Sequence, residues 1–209
     1  MVYLLDETIW FPETDLAEPD GLLAVGGDLS AERLILAYSQ GIFPWFSEGE
    51  PILWFCPHER CVIYPEKLKI SKSLTQVLKS NKFKVTWNTA FEQVIENCKN
   101  IYRPDQEGTW ITEDMQNAYA KLHRLGLAQS LEVWENTELV GGLYGIVKDK
   151  VFCGESMFSK VSNASKTAMV HLCRNASFQL IDCQVPNDHL LSLGAEMISY
   201  EKYRLILDN

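Results

Sequence analysis

Three strand-like runs in the second half of the chain constrain its fold more than any other feature. The runs SLEVWE, ELVGGLYGIV and KVFCGESMF are rich in β-branched and aromatic residues, and only short turns around Asn136-Thr137 and Lys148-Asp149 separate them. Strand-like runs joined by turns of this length are typical of successive hairpins. We therefore predict an antiparallel three-stranded meander from residue 130 to residue 158.

The segments around the meander predict further elements in a recognisable order. SKSLTQVLKS is typical of a helix, FKVTWN of a strand, and AFEQVIENCKN and TEDMQNAYAKLHRLG of two helices, the second capped by Thr112 and ended by Gly126. A helix from about residue 163 to residue 177 then leads into the strand-like LIDCQV. This order is similar to that of the acetyltransferase-like GNAT fold, so we expect an α+β fold whose mixed, mainly antiparallel sheet is flanked by helices.

The turn before the last long helix bears on whether a protein with this fold could use acyl-CoA as an acyl donor. An acyl-CoA enzyme needs a glycine-rich turn there, because consecutive backbone amides hold the pyrophosphate. This chain has KVSNASKT, without glycine. An acyl-CoA donor is therefore disfavoured, and an ordinary N-acetyltransferase remains the second interpretation among enzymes.

The first 60 residues differ from the rest in pattern. They are rich in turns and aromatic residues, with one short helix, SAERLILAYSQG, opened by Ser30 and closed by Gly41. We expect a small, irregular N-terminal domain over residues 1–61 and the GNAT-like domain over residues 62–209.

Charge is distributed unevenly along the chain. Residues 1–60 hold eleven acids and two bases, a net charge of −9, whereas the remainder is neutral. The stretch KLKISKSLTQVLKSNKFK carries six lysines and no acid. A basic face can hold a phosphate backbone and an acidic one a basic partner, although an ordinary solvated lysine face fits the stretch equally well.

Composition limits the class of protein. At 209 residues and 46% hydrophobic content, the chain can bury one good core, or a main domain and a smaller one. No segment approaches the roughly 20 consecutive apolar residues that span a bilayer, so a cytoplasmic location is expected. The six cysteines have scattered spacings, which predicts free thiols.

The stretch LIDCQVPNDH contains polar groups inside what is otherwise a buried strand pattern. Because side chains alternate along a strand, Asp182 and Gln184 are expected on one face and Cys183 on the other. A carboxylate and an amide paired in this way are candidates for catalysis. A thiol nucleophile made of Cys183 and His189 is disfavoured by the same alternation, and a buried structural thiol is the better interpretation.

A zinc site is also disfavoured. The stretch CPHERC offers Cys56, His58 and Cys61, but it has no clear fourth ligand and no C-x2-C spacing.

Seven segments together resemble one family closely. In wording and order, GLLAVGGDLS, GIFPWFSEGEPILWFCP, GTWIT, LVGGLYG, FCGESMFS, NASKTA and LIDCQVPNDH are similar to the leucyl/phenylalanyl-tRNA–protein transferases, over about residues 10 to 200. The resemblance implies that Leu or Phe passes from an aminoacyl-tRNA to the N-terminal Arg or Lys of a protein, with Met as a further donor amino acid left open. The family's products are marked for degradation through the N-end rule pathway.

The resemblance also implies the partners of the reaction. The partners would be charged tRNA and an acceptor protein, with no metal, no organic cofactor and no membrane. Nothing requires a dimer, so a monomer is expected. The donor ester is already activated, so positioning of the acceptor amine should dominate the catalysis.

Residue roles follow from the match to the family. We expect Asp182 to hydrogen-bond and polarise Gln184, whose carbonyl oxygen orients the acceptor nitrogen, with Asp182 or a water as any general base. Glu155 is expected to be the partner of the cationic acceptor. A binding module that holds tRNA ends or basic peptides without turnover is the alternative from another class of protein.

The remaining implied positions belong to three surfaces. Phe152 and Met157 are both assigned to the pocket for the donor side chain, but strict alternation would place them on opposite faces of the strand. A bulge is therefore expected at Gly154. Leu143 and Leu172 stand where the family has Met and Phe, which leaves the ranking of Leu, Phe and Met open. The donor side-chain pocket is expected to contain Leu143, Phe152, Met157, Leu172 and Ile181; the adenosine-binding surface Trp45, Trp110, Tyr38 and Tyr119; and the acceptor-stem patch Lys72, Lys79, Lys82 and Lys84.

Overall fold

The strands of the computed structural model form two sheets. The model describes residues 2–102, 109–175 and 177–208, so Gly108 of the GTWIT motif lies outside the described residues. The strand orders are β1-β2-β4-β3 and β11-β5-β10-β9-β8-β7-β6. The strands are β1 (Tyr3–Leu5), β2 (Leu22–Gly26), β3 (Phe43–Pro44), β4 (Leu53–Phe55), β5 (Glu59–Ile63), β6 (Lys84–Trp87), β7 (Ala128–Glu135), β8 (Glu138–Lys148), β9 (Val151–Ser159), β10 (Leu180–Gln184) and β11 (Glu196–Ser199).

The helices begin where the sequence places capping residues. Ser30 accepts a hydrogen bond from the backbone of Arg33, and Thr112 accepts one from Met115, which satisfies amides that a helix start leaves unpaired. The helices are α1 (Ala31–Ser39), α2 (Lys72–Lys79), α3 (Phe91–Asn100), α4 (Glu113–Arg124), α5 (Ala164–Asn175), α6 (Asp188–Ser192) and α7 (Tyr200–Leu207).

The larger sheet confirms the predicted meander. Strands β7, β8 and β9 pair antiparallel in sequence order, while β9 and β10 pair parallel and β5 pairs antiparallel with β10. The order from β6 through α3, α4, the meander and α5 to β10 is the GNAT-like order predicted from the sequence. The fold is therefore α+β with a mixed, mainly antiparallel sheet flanked by helices.

Two hydrophobic clusters cover the two faces of this sheet. Successive residues of β10 alternate between them: Leu180 packs in the first cluster and Ile181 in the second. The first cluster joins α1, α3, α4 and α7 to side chains of the first 60 residues, such as Trp54. The second cluster holds α5, where Ala164 lies so close to Gly141 that a Cβ on this glycine would approach it to 2.5 Å.

The start of the larger sheet bears on the predicted domains. Strand β5, Glu59–Ile63, lies inside the seven-stranded sheet between β11 and β10. A boundary between residues 61 and 62 therefore falls within a strand, and the division into two domains stays a prediction.

All six cysteines are free and buried, as expected. Within the described ranges, no helix has the length and apolar character required to cross a bilayer.

Candidate active site

A cavity of about 310 Å³ lies where β8, β9 and β10 meet α5, α6 and the segment after β3. Its lining combines apolar and polar side chains. The apolar members are Phe43, Pro44, Trp45, Trp110, Leu143, Phe152, Met157, Met169, Ile181, Val185 and Leu190. The polar members are Tyr144, Glu155, Ser156, Cys183, Gln184, Asn187 and His189.

A β-bulge in β9 shapes this cavity. Tyr144 pairs with Ser156 and Gly145 with Gly154, so Glu155 is an extra residue without a partner on β8. Since a bulge reverses the alternation on one side of it, Phe152 and Met157 can both line the cavity. The bulge expected at Gly154 is confirmed, and its extra residue is Glu155.

Glu155 is held by two tyrosines. The Tyr38 hydroxyl donates to Oε1 at 2.7 Å, and the Tyr119 hydroxyl donates to Oε2 at 3.0 Å. Burial raises the pKa of Glu155 to about 7, against the opposing effect of these two hydrogen bonds. Burial also raises the pKa values of Tyr38 and Tyr119 well above their usual range, so both hydroxyls remain protonated donors.

Asp182 faces away from the cavity. Its side chain is fully buried, and its two oxygens accept hydrogen bonds from Nε and Nη2 of Arg60, both at 2.9 Å. The Tyr203 hydroxyl donates to it at 3.0 Å and the backbone N–H of Gln184 at 2.9 Å. Asp182 therefore hydrogen-bonds Gln184 as predicted, but through the backbone amide and not through the side-chain amide, so the predicted polarisation of the side chain has no direct contact behind it.

Gln184 has a left-handed backbone conformation, with φ of 58°. The pairing of β10 with β5 shifts register between Asp182 and Gln184, so strand alternation ends here. As a result, Cys183 and Gln184 both line the cavity and Asp182 does not. The predicted arrangement, with Asp182 and Gln184 on one face and Cys183 on the other, is therefore wrong.

Four of the five residues predicted for the donor side-chain pocket line the cavity: Leu143, Phe152, Met157 and Ile181. Leu172 is instead fully buried in the second hydrophobic cluster. Met169, one helical turn earlier in α5, takes the cavity position. Helical periodicity identifies the buried face of α5, but the height at which this helix lies on the sheet decides which residue of that face meets the cavity.

The predicted aromatic positions divide into two pairs. Trp45 and Trp110 line the cavity, and Trp45 is 44% exposed. Tyr38 and Tyr119 are buried in the first hydrophobic cluster with their hydroxyls on Glu155. These tyrosines therefore offer no free ring face for stacking, and their place beside the adenosine stays a prediction.

The four predicted lysines are exposed. Lys72 and Lys79 lie at the two ends of α2, and Lys84 begins β6. Lys82 forms an ion pair with Glu135 at 3.6 Å, while Lys72, Lys79 and Lys84 form no ion pair with any described residue.

The structure bears on the two sites that the sequence disfavoured, a zinc site in CPHERC and a thiol nucleophile at Cys183. Cys56 packs in the first cluster and Cys61 in the second, and the described ranges contain no group of three or more His, Cys, Asp or Glu placed to hold a metal. Cys183 lines the same cavity as His189, but burial raises the pKa of its thiol well above the usual range. The thiol therefore stays protonated at neutral pH, and protonated thiols are poor nucleophiles.

Arg60 is the main site residue that the sequence analysis missed. Its guanidinium is 1% exposed and lies over the rings of Phe43 and Tyr203 as well as against Asp182. One signal was present in the sequence: Arg33 and Arg60 are the only bases among the first 60 residues, and both are buried. A lone arginine in an acidic stretch can mark a structural ion pair.

The match to family models and the similarity to individual relatives agree on one family. Residues 62–208 match the family described as leucyl/phenylalanyl-tRNA protein transferase, and residues 27–58 match the N-terminal domain of that family. Among solved structures, a GCN5-related N-acetyltransferase from Kribbella flavida aligns over 83% of this chain and 62% of its own, with 9% identity and a TM-score of 0.40.

Individual relatives are similar along nearly the whole chain. A leucyl/phenylalanyl-tRNA–protein transferase of Flavobacterium psychrophilum is 52% identical over 205 residues, 97% of each chain. The proteins of the same name from Flavobacterium johnsoniae and Shigella dysenteriae serotype 1 are 53% and 52% identical, and the alignments cover 99% and 88% of those proteins and 99% and 97% of this chain. The chain belongs to the leucyl/phenylalanyl-tRNA protein transferase family.

Proposed function

We propose that this protein transfers Leu or Phe from aminoacyl-tRNA to the N-terminal Arg or Lys of acceptor proteins, which marks them for degradation by the N-end rule pathway. The observation that carries the proposal is the composition of one cavity. It brings an apolar pocket, two tryptophans, an amide and a carboxylate together in a member of this family.

The apolar part of the cavity accounts for the donor amino acid. The pocket wall carries neither charge nor a strong hydrogen-bonding group, so transfer of a Leu or Phe side chain from water into it is favourable in free energy. The wall consists of Leu143, Phe152, Met157, Met169 and Ile181. Two methionines give the wall an adaptable shape, because the thioether side chain is unbranched and flexible. Such a wall suits more than one apolar side chain, Met included.

The tryptophans account for the end of the tRNA. Trp45 and Trp110 line the cavity, and base stacking on an aromatic ring contributes about 1–3 kcal/mol per base. The terminal adenosine would stack against one or both rings while its ester reaches the interior. Lys72, Lys79 and Lys84 would contact phosphates of the acceptor stem through exposed ammonium groups.

The polar side of the cavity accounts for the acceptor. Gln184 presents a carbonyl oxygen that can orient the acceptor nitrogen, and Glu155 can pair with its positive charge. The amine then attacks the ester carbonyl directly, so no covalent enzyme intermediate is required. Asp182 acts as a positioning residue: together with Arg60 it holds the backbone of Gln184.

The test of the function is transfer of labelled Leu from charged tRNA to two peptides, one that begins with Arg and one with Ala. The expected result is transfer to the Arg peptide alone. A protein that binds charged tRNA and transfers nothing would be a binding module instead. Transfer of an acetyl group from acetyl-CoA would favour an N-acetyltransferase. A cytoplasmic location and a monomeric state stay predictions.

The lysine patch has a separate test. Lys72→Ala with Lys79→Ala should weaken tRNA binding and reduce the slope of log affinity against log salt by roughly 1 to 2, since two phosphate contacts are lost. Turnover at saturating tRNA should be retained. The matched control is Lys121→Ala, an exposed lysine of α4. An unchanged slope would place the tRNA contact elsewhere.

A further inference from the structure

Glu155 is the only carboxylate among the described residues that line the cavity. Its oxygens are held from the interior by Tyr38 and Tyr119, one hydroxyl on each oxygen. A carboxylate has about four lone-pair sites, so two hydrogen bonds leave acceptor capacity for a ligand. The carboxyl group is thus fixed in position without being saturated.

The neighbours of Glu155 leave its protonation state adjustable. Facing it are the hydroxyls of Tyr38 on α1 and Tyr119 on α4, with the Asp182 carboxylate on β10 and the Arg60 guanidinium on β5 farther away. Burial raises the pKa of Glu155 to about 7, the two tyrosine hydrogen bonds lower it, Asp182 raises it and Arg60 lowers it. Both protonation states are therefore populated near neutral pH, where an acid–base catalyst is most effective.

The other polar groups are less suited to proton transfer. All four hydrogen bonds to Asp182 come from Arg60, Tyr203 and the Gln184 backbone, and Asp182 does not line the cavity. Gln184 is a neutral amide of negligible basicity. His189 is the competing base, because its buried Nε2 has no partner among the described residues, but burial lowers its pKa and makes it a weaker base.

We propose that Glu155 accepts the proton which the acceptor α-ammonium loses and returns it to the ribose oxygen that leaves, with Tyr38 and Tyr119 as its positioning residues. This role rests on the proposed function. The ammonium first gives one proton to the Glu155 carboxylate. The free amine then forms the C–N bond, the C–O bond of the ester breaks, and the carboxylic acid protonates the departing ribose oxygen. The second proton, which the attacking nitrogen loses as the amide forms, passes to solvent. Glu155 ends the cycle ionised, as it began.

The pH dependence of kcat at saturating donor and acceptor tests this role, since it reports ionisations of the bound complex. Wild-type kcat should rise with pH through one ionisation near neutrality. Glu155→Gln should lower kcat by about 10²-fold or more and remove that ionisation. Its deficit should shrink at alkaline pH, where the acceptor amine is already neutral.

The tyrosines supply a second readout. Tyr119→Phe and Tyr38→Phe each remove a hydrogen bond that favours the carboxylate, so each should move the ionisation to higher pH. Isotope-edited infrared spectroscopy of the Glu155 carboxyl group should show the same displacement without any substrate. The control is Tyr64→Phe. The Tyr64 ring contacts Lys67, and no hydrogen bond among the described residues joins Tyr64 to Glu155, so this variant should leave the pH profile of kcat unchanged.

Each contrary outcome has a distinct meaning. A folded Glu155→Gln variant that only raises the acceptor KM would show charge pairing without proton transfer and would overturn the inference. Loss of the neutral ionisation in His189→Gln rather than in Glu155→Gln would assign the base to His189. No transfer by the wild-type protein would overturn the proposed function itself, whereas normal transfer by Glu155→Gln would overturn this inference alone.

Discussion

Two carboxylates on neighbouring strands have opposite surroundings. Asp182 on β10 is closed off by Arg60, Tyr203 and a backbone amide, whereas Glu155 on β9 borders a cavity and receives only neutral hydroxyls. Neutral hydroxyls supply hydrogen bonds but no opposite charge, so burial can raise the pKa of Glu155 to about 7 despite them.

The comparison separates structural from chemical carboxylates at one site. A buried ion pair fixes a local geometry, here the left-handed Gln184 backbone next to the cavity. A carboxylate between neutral donors can exchange a proton. The residue that is most buried and most strongly bonded is therefore the weaker candidate for proton transfer, although its place in the motif makes it look catalytic.

The largest expected effect is on stability at the Asp182 site. Asp182→Ala should lower the free energy of unfolding by about 3–5 kcal/mol, because it leaves the buried Arg60 charge unpaired. Urea denaturation measures this change. A paired variant, Arg60→Met with Asp182→Leu, should recover most of the loss, since no unpaired charge remains. A loss below about 1 kcal/mol in Asp182→Ala would mean that the pair is solvated and the contrast with Glu155 is weak.

A smaller effect, dependent on pH, is expected at the Glu155 site. The folded state raises the pKa of Glu155 from 4.5 to about 7, so the folded protein binds more protons than the unfolded chain between these values and loses stability as pH rises through this range. Glu155→Gln removes this dependence. The variant should gain on the order of 1–2 kcal/mol relative to wild type between pH about 5 and pH about 8, a figure discounted for partial solvation.

Denaturation of both proteins across this pH range provides the measurement. Equal pH dependence in the two proteins would show that Glu155 titrates as an ordinary carboxylate. The two sites would then differ in packing and not in proton affinity.

The smallest expected effect on stability concerns the residue between the two sites. Gln184→Gly should change the free energy of unfolding by less than about 1 kcal/mol, because relief of the left-handed conformation offsets the lost side-chain contacts. Turnover should nevertheless fall, since the carbonyl oxygen in the cavity is gone. Urea denaturation together with the transfer assay checks both parts, and Gln184→Ala, which keeps the backbone strain, is the matched control that should be less stable than Gln184→Gly.

The sequence by itself determined the local elements and the family. The meander followed from β-branched and aromatic runs with short turns, and the starts of α1 and α4 followed from Ser30 and Thr112, because such signals act between residues a few positions apart. The family motifs also placed Glu155, Gln184, Trp45 and Trp110, all of which line the cavity.

Only the tertiary structure decided the partners of each site residue. The contact of Asp182 with Arg60 spans 122 positions and that of Tyr38 with Glu155 spans 117, so no local pattern contains them. The left-handed φ of Gln184 reversed the expected faces of Cys183 and Gln184, because strand alternation holds only while the pairing stays regular. The choice of Met169 over Leu172 followed from where α5 rests on the sheet, which is set by packing and not by periodicity.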